Sequence, residues 1–93
     1  MTKDKTKDES KNESKEKEEN LYSIIVYNDE VNTFEHVIGC LIKYCKHELT
    51  QAEQCTMIIH NNGKCDVKKG TFKELETPYY ALLDSGLSAE IEN

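Results

Sequence analysis

Three side chains that accept hydrogen bonds, those of Asn28, Glu30 and His60, are the residues best suited to binding chemistry in this sequence. Asn28 and Glu30 stand where an apolar run ends and a helical pattern begins, a usual position for binding groups on a rigid scaffold. His60 lies at the end of the next helical pattern and can close the same corner. An amide oxygen, a carboxylate and a neutral imidazole nitrogen together suit the capture of a small cationic group.

The same residues also have purely structural interpretations. The run Asn28-Asp29-Glu30 is typical of a turn whose acidic residues precede a helix N-terminus, where negative charge is favourable. His60 can be a helix-end histidine that is stabilised by the helix dipole. Spacing alone is compatible with both interpretations. The other two histidines, His36 and His47, are expected at the surface or at the boundary of the core.

The first twenty residues are a low-complexity tract of thirteen Lys, Asp and Glu residues, with Met1 as the only apolar side chain. Because such a tract has nothing to offset the entropy of ordering, we predict a disordered charged tail over residues 1–20. The part able to fold is residues 21–93, which makes one small domain with a modest core. This size favours a binding module over an enzyme with a deep cleft.

Charge and cysteine spacing argue against several functions. Residues 21–93 contain six Lys against eleven Asp and Glu, so no basic face is expected and nucleic-acid binding is disfavoured. No apolar segment suggests a signal peptide or a membrane span. The four cysteines have no CxxC spacing, which predicts free thiols, no metal or other cofactor, and a cytoplasmic protein.

A buried strand and a helix are predicted around the polar corner. Residues 21–27 are rich in β-branched and aromatic side chains, which is typical of a strand. Asn32 is then predicted to cap the first helix, with Glu35 completing a capping box. Apolar residues recur after it at steps of three and four, at Phe34, Val37, Ile38, Leu41, Ile42 and Cys45.

The pattern continues with a second helix and a second strand. Thr50 and Glu53 predict another capping box, and the helix that follows ends before Gly63. Its inward face is predicted to consist of Ala52, Cys55, Thr56 and Ile59, with His60 one turn beyond Thr56. Residues 64–69 alternate in polarity as a half-buried or edge strand does, and Gly70 is predicted to end this strand.

The last third of the chain predicts a helix and a short strand. Thr71 and Glu74 form a third capping-box pattern, and Pro78 predicts a kink, or a restart of the helix with Thr77 as cap. Gly86 is predicted to stop the helix before a final strand at residues 87–91. The fold class is therefore α+β, with a small three-stranded antiparallel sheet covered by three helices in the order β-α-α-β-α-β.

With these residues in this order, the chain resembles the ClpS family, the adaptors that present N-degron substrates to an AAA+ unfoldase of the bacterial Clp protease. The resemblance is strong over about residues 21–77 and looser beyond, so residues 21–93 are interpreted as a ClpS-like adaptor domain. Its marks are Asn28-Asp29-Glu30 after an apolar strand, Glu35, Val37, Ala52, His60, Gly63, Cys65 and Val67.

The resemblance implies recognition of a substrate's first residue. The free α-amino group would be held by Asn28, Glu30 and His60, with Asp29 near the site. A bulky hydrophobic first side chain, Leu, Phe, Tyr or Trp in the family, would enter a pocket formed by Phe34, Val37, Thr56 and Ile59. The resemblance also implies a partner, the N-terminal domain of an unfoldase of the ClpA or ClpC type. We expect a monomer that performs no chemistry of its own.

Three departures from the family pattern keep an alternative open. Glu30 replaces the usual Asp, Asn32-Thr33-Phe34 replaces Thr-Pro-Met, and Thr56 replaces a Met. The alternative is a regulatory interaction domain that binds the unfoldase and changes substrate choice without recognising N-degrons. A small hydrolytic or metal enzyme is disfavoured, because the sequence contains no carboxylate pair and no cluster of metal ligands.

Overall fold

The strand β1 (Leu21–Tyr27) is the centre of a three-stranded sheet, and three helices complete the fold. The computed structural model describes residues 21–93, and the predicted tail over residues 1–20 lies outside them. The predicted α+β class and element order are confirmed. The further elements are α1 (Phe34–Cys45), α2 (Leu49–Asn62), β2 (Lys64–Thr71), α3 (Phe72–Asp84) and β3 (Ser88–Glu92).

The sheet has the order β2-β1-β3, and both outer strands pair antiparallel with β1. In β1 the side chains of Ile24 and Val26 are buried. Because side chains of a strand alternate between the two faces of the sheet, these two lie on the same face, which meets the core. The register between β1 and β2 shifts between Ile24 and Ile25, which pair with Lys68 and Asp66. Because β2 lies at an edge of the sheet, the prediction of an edge strand over residues 64–69 is confirmed.

The core fills the space between the sheet and the helices. Its residues have at most 8% of their surface exposed: Ile24, Val26, Val37, Cys40, Leu41, Cys45, Ala52, Ile59, Val67, Leu75, Leu82, Leu87 and Ala89. Every strand and every helix contributes to this set. Burial of apolar surface is the main stabilising contribution in a domain of this size.

Helix α1 begins one residue later than the sequence predicts. Its N-cap is Thr33, whose hydroxyl accepts a hydrogen bond from the His36 N–H at 3.1 Å. The prediction that Asn32 caps this helix is wrong. The Asn32 side chain instead donates to the Asp29 carboxylate and to the Gly86 carbonyl at 3.0 Å, so tertiary partners have displaced the local cap.

The prediction for the start of α2 is also wrong, whereas its inward face is confirmed. The N-cap is Glu48, which makes no side-chain capping bond, and the helix already includes Thr50. Ala52, Thr56 and Ile59 are buried. Gly63 ends the helix with φ 96°, a left-handed conformation that glycine adopts without steric cost.

The junction between β2 and α3 is a close backbone turn. Gly70 does not end the strand, contrary to prediction, because β2 runs through Thr71. A Cβ at Gly70 would lie 2.7 Å from Oε1 of Glu74. That oxygen accepts from the Thr71 N–H while the Thr71 hydroxyl accepts from the Glu74 N–H, so the predicted capping box is confirmed.

Pro78 lies inside a continuous helix, and the predicted restart with Thr77 as cap is wrong. Proline removes one helical hydrogen bond and costs about 3 kcal/mol in a helix interior. The side chains of Leu75 and Leu82, one turn on either side, are fully buried. Packing on both sides of Pro78 therefore holds the helix together.

His47 is buried, with 5% of its surface exposed, so its prediction as a surface or boundary residue is wrong. It follows Lys46, whose φ of 61° ends α1 in the left-handed region, and the His47 N–H donates to the Leu41 carbonyl at 3.2 Å. In this type of helix ending the next side chain folds back onto the helix. Its Nε2 lies 2.7 Å from the Val67 carbonyl.

A hydrogen-bond network centred on Asp29 shapes the loop between β1 and α1. The Asp29 carboxylate accepts from the N–H groups of Val31 and Asn32, both at 3.0 Å, and from the Asn32 amide. It also accepts from the Ser88 hydroxyl at 3.2 Å. Together with the bond from Asn32 to the Gly86 carbonyl, this network joins the loop to the turn before β3.

The network also lowers the pKa of Asp29. Desolvation by burial raises this pKa, but the hydrogen bonds from the Asn32 and Val31 N–H groups and from two side chains outweigh it. The folded protein therefore favours the ionised carboxylate more than the unfolded chain does. This contribution to stability is present above the ordinary aspartate pKa and is lost as the pH falls through the lowered one.

The side chain of Leu41 is fully buried in the core. Replacement by alanine should reduce the free energy of unfolding by about 2–5 kcal/mol, because it removes apolar contacts and leaves a cavity. The matched control is Ile42→Ala on the same helix, where 38% of the residue is exposed. Urea denaturation of both variants measures the difference. Equal losses at the two positions would contradict the described core.

The Asp29 network predicts an acid-dependent stability. Between pH 7 and pH 3 the Asp29→Asn variant should lose less unfolding free energy than the parent chain, because the amide has no proton to gain. Urea denaturation at both pH values measures the change. The control is Asp84→Asn, at an exposed carboxylate with no hydrogen bond within residues 21–93. The prediction fails if Asp29→Asn retains the full acid dependence.

Candidate functional site

A cavity of about 390 Å³ opens where the end of β1, the start of α1 and the end of α2 meet. It contains every residue that the sequence singled out for a site. The lining residues are Val26, Tyr27, Asn28, Asp29, Glu30, Asn32, Thr33, Phe34, Val37, Thr56, Ile59, His60 and Leu87. The structure thus brings together side chains from four parts of the chain.

A backbone hydrogen bond places Asn28 beside the end of α2. The Asn28 N–H donates to the Gly63 carbonyl at 2.8 Å, just beyond the last strand residue, Tyr27. Gly63 in turn donates to the Ile59 carbonyl at 2.9 Å, which closes the end of the helix. His60 lies in this last turn. Asn28 and His60, which are far apart in the sequence, therefore line one cavity.

Three polar side chains of the cavity are available to a ligand. Asn28, Glu30 and His60 are exposed, and none of their side chains makes a hydrogen bond to another residue in the 21–93 range. They offer an amide oxygen, a carboxylate and an imidazole nitrogen as hydrogen-bond acceptors. This combination suits a group that carries several N–H donors and one positive charge.

Asp29 differs from its neighbour Glu30 in what its carboxylate does. Both oxygens of Asp29 already accept hydrogen bonds from the loop and from Ser88. Its negative charge still faces the cavity region and favours a cation there, at a strength that solvent reduces. Asp29 is therefore a positioning residue for the loop that carries Asn28 and Glu30.

The inner part of the cavity is apolar. Val37, Thr56, Ile59 and Leu87 line it, and each has at most 8% of its surface exposed. The Thr56 hydroxyl donates to the Ala52 carbonyl at 2.8 Å, within its own helix. A ligand can therefore place a hydrophobic group against this wall while its polar end meets the exposed acceptors.

Phe34 lines the cavity and contacts one of its polar residues. Its ring meets the His60 ring edge-on, with centroids 5.2 Å apart and an interplanar angle of 73°. At 39% exposure it remains in contact with solvent. Such an edge contact limits how the imidazole can turn, so Phe34 contributes to the placement of His60.

Sequence reasoning missed part of the lining. Leu87 and Asn32 both line the cavity, whereas the sequence predicts only a strand at residues 87–91 and a helix cap at Asn32. The Asp29 carboxylate accepts from the Val31 N–H two residues on, as in an Asx turn, so an Asp at this position is a signal that could have identified this loop. Val26 follows from the strand alternation, since it is the last buried residue of β1.

Tyr27 also lines the cavity, as a neutral phenol. Its hydroxyl donates to the Glu92 carboxylate on the neighbouring strand. This hydrogen bond is the largest of the effects that raise the pKa of Tyr27 to about 12. Tyr27 therefore adds no charge to the cavity at neutral pH.

Possible metal ligands and cysteine thiols are the other chemically reactive groups of the described range. No group of three His, Cys, Asp or Glu residues able to hold a metal ion is found in residues 21–93. Burial raises the pKa of Cys40 and raises that of Cys45 to about 11, so both are protonated thiols and weak nucleophiles near neutral pH. None of the helices described here has the length and apolar character needed to cross a membrane.

Comparison with solved structures identifies the fold. The structure of Agrobacterium tumefaciens ClpS2 bound to L-phenylalaninamide superposes with a TM-score of 0.71 and 22% sequence identity. The match covers 78% of this chain and 95% of that chain. At this level of identity the similarity establishes the fold.

Sequence comparison identifies the family. A family model described as "ATP-dependent Clp protease adaptor protein ClpS" matches residues 17–90. Proteins named ATP-dependent Clp protease adapter protein ClpS are 37% identical in Thermosynechococcus vestitus and 35% identical in a Nostoc species, each over 68 residues. These matches cover 72% of this chain and 72% and 70% of the two relatives. The chain therefore belongs to the ClpS family of adaptor proteins of the ATP-dependent Clp protease.

Proposed function

We propose that this adaptor binds the first residue of N-degron substrates in the cavity and delivers those substrates to a Clp AAA+ unfoldase for degradation. The observation that carries the proposal is the cavity itself, where three exposed hydrogen-bond acceptors stand beside an apolar wall. The relative ClpS2 was solved with L-phenylalaninamide, which combines a free α-amino group with an aromatic side chain. The two parts of that molecule match the two parts of the cavity.

The α-ammonium group would be held by Asn28, Glu30 and His60. It has three N–H donors and one positive charge, so it needs about three acceptors. Each hydrogen bond to a charged group contributes roughly 1.5–3 kcal/mol. An internal peptide segment lacks the ammonium group and would leave these acceptors unpaired, so the site selects chain termini.

The first side chain would lie against Phe34, Val37, Thr56 and Ile59, with Leu87 completing the wall. Removing apolar surface from water contributes about 25 cal/mol per Å² and supplies the driving force for binding. A large aliphatic or aromatic side chain gains most from this contribution. We therefore expect the cavity to bind N-degrons that begin with Leu, Phe, Tyr or Trp.

Delivery requires a partner rather than a reaction. We assign that role to the N-terminal domain of an unfoldase of the ClpA or ClpC type, with the adaptor acting as a cytoplasmic monomer without catalysis. The family description as an adaptor of the Clp protease supports a protein partner. In the competing function, the chain binds the unfoldase and changes substrate choice without recognising N-degrons, which the unusual Glu30, Phe34 and Thr56 favour.

Binding should depend on the free α-amino group. Peptides that begin with Leu, Phe, Tyr or Trp should lose at least about 100-fold in affinity on N-acetylation, equivalent to about 3 kcal/mol from two lost hydrogen bonds to a charged group. Fluorescence anisotropy of each peptide and its acetylated form measures this ratio. Equal binding of the two forms would refute the proposal. Unfoldase binding without any peptide binding would select the regulatory function.

The three acceptors should each matter to the free-amino peptides. Asn28→Ala, Glu30→Gln and His60→Ala should each weaken their binding about tenfold or more. The two alanine variants remove an acceptor from the ammonium group, and Glu30→Gln removes the negative charge that faces it. The controls are Asn61→Ala and Glu53→Gln, exposed positions on α2 that do not line the cavity. If the controls weaken binding as much as the matched variants do, the assignment of the acceptors is wrong.

Thr56 should determine how large a first side chain fits. In Thr56→Met the longer side chain fills part of the cavity, so affinity for a Trp-initiated peptide should fall about fivefold or more relative to a Leu-initiated one, the effect of about 1 kcal/mol of overpacking. The control is Met57→Thr, at the neighbouring residue, which does not line the cavity. An unchanged ratio in a folded Thr56→Met protein would count against this pocket.

A further inference from the structure

A second cavity, of about 570 Å³, lies between the end of α1, the edge strand β2 and the helix α3. It shares no lining residue with the candidate site. We call it the lysine groove, and its lining consists of Lys43, Tyr44, Lys46, Lys68, Lys69, Glu74, Thr77, Pro78 and Ala81. The two cavities lie toward opposite ends of α1, since Phe34 lines the first and Lys46 follows the last helical residue.

The groove concentrates the positive charge of the folded part. Four of the six lysines in residues 21–93 line it, although that part of the chain carries eleven Asp and Glu residues. The only carboxylate in the lining is Glu74, and one of its oxygens is already bonded to the Thr71 N–H. A positive groove thus interrupts a surface that is negative on balance.

Part of this arrangement has a local explanation. Lys43 is in the last turn of α1 and Lys46 follows it, where positive charge is favourable to the helix dipole. Lys68 and Lys69 come from a different element, the strand β2, and gain nothing from that dipole. Within residues 21–93, Lys69 is the one groove lysine with an ion pair, to Asp66 at 2.6 Å. Folding therefore collects like charges that the local structure does not require.

Apolar residues also line the groove. Tyr44, Pro78 and Ala81 are half-buried there, and the Lys43 ammonium lies 5.4 Å from the centre of the Tyr44 ring. A ligand that complements both features carries carboxylates beside an apolar side chain. Nucleic acid is a poor match, because its evenly charged backbone would continue onto the acidic surface around the groove.

We propose that the lysine groove is a docking site for an acidic polypeptide segment of a protein partner. Carboxylates of the segment meet the ammonium groups of Lys43, Lys46 and Lys68, and an apolar side chain lies on Tyr44 and Pro78. Charge complementarity carries this inference. The site acts independently of the first-residue cavity, so both can be occupied at once and either can fail without the other.

A blocked acidic peptide tests the site directly in the full chain. The probe is an N-acetylated peptide of repeated Glu-Glu-Leu triplets with a C-terminal fluorophore, and the acetyl group keeps it out of the first-residue cavity. It should bind with an affinity that falls as salt increases, since salt screens exposed charges. A Gln-Gln-Leu peptide should bind at least tenfold more weakly. Failure of the Glu-Glu-Leu peptide to bind overturns the proposal.

Two double variants with the same change of charge locate the binding. Lys46→Gln with Lys68→Gln removes two charges from the groove and should weaken binding of the acidic peptide about tenfold. Lys64→Gln with Lys73→Gln removes two charges outside the groove and should change binding less than twofold. Equal losses in both double variants would show a general charge effect and overturn the docking site. Unchanged thermal unfolding of each protein confirms that the fold is intact.

Residues 16–19 of the chain itself, with three glutamates, are the competing occupant. Glu16→Gln, Glu18→Gln and Glu19→Gln together remove these three negative charges in the full chain. If the groove serves a separate partner, this triple variant should bind the Glu-Glu-Leu peptide with unchanged affinity. At least tenfold tighter binding would show that the chain itself competes for the groove, and would overturn the assignment to a partner.

Discussion

The hydrogen bond from the Asn28 N–H to the Gly63 carbonyl is the contact on which the candidate site depends. It ties the end of the central strand to the end of α2, and so brings an amide and an imidazole from distant parts of the chain to one cavity. The contact requires a helix that stops abruptly beside the strand. Gly63 provides that stop through its left-handed backbone, which a residue with a Cβ adopts only at a cost.

Neighbouring carboxylates on the loop after β1 take different roles because their surroundings differ. Asp29 is saturated by hydrogen bonds from its own loop and from Ser88, so its oxygens organise the protein. Glu30 makes no such bond within residues 21–93 and stays exposed at the cavity. The short side chain thus orders the backbone and leaves the longer one free to reach a ligand. Local geometry, rather than charge, separates the two.

The alternation and periodicity of apolar residues predicted the fold, the element order and the polar corner, because burial imposes those patterns on the sequence. Local signals were less informative about helix starts. The same capping-box pattern occurs at Asn32, Thr50 and Thr71, yet only at Thr71 does the box form. The Asn32 side chain instead donates a hydrogen bond to the carbonyl of Gly86, a residue 54 positions away. Leu87, which follows Gly86 in the same turn, lines the cavity. Such long-range pairings leave no periodic trace in the sequence, so the folded structure was needed to find them.

The hydroxyl of Thr56 has a further consequence for what the cavity tolerates. A polar atom in an apolar wall normally penalises a hydrocarbon guest, since a buried donor is left without a partner. Here the hydroxyl already donates a hydrogen bond to the Ala52 carbonyl one turn earlier in the same helix. Only the two lone pairs of the oxygen remain unused, and an unused acceptor is the milder loss because the hydroxyl keeps one hydrogen bond. The wall can therefore accept a purely hydrocarbon ring. It can also accept a phenol, whose hydroxyl can donate to the unused lone pairs of the Thr56 oxygen.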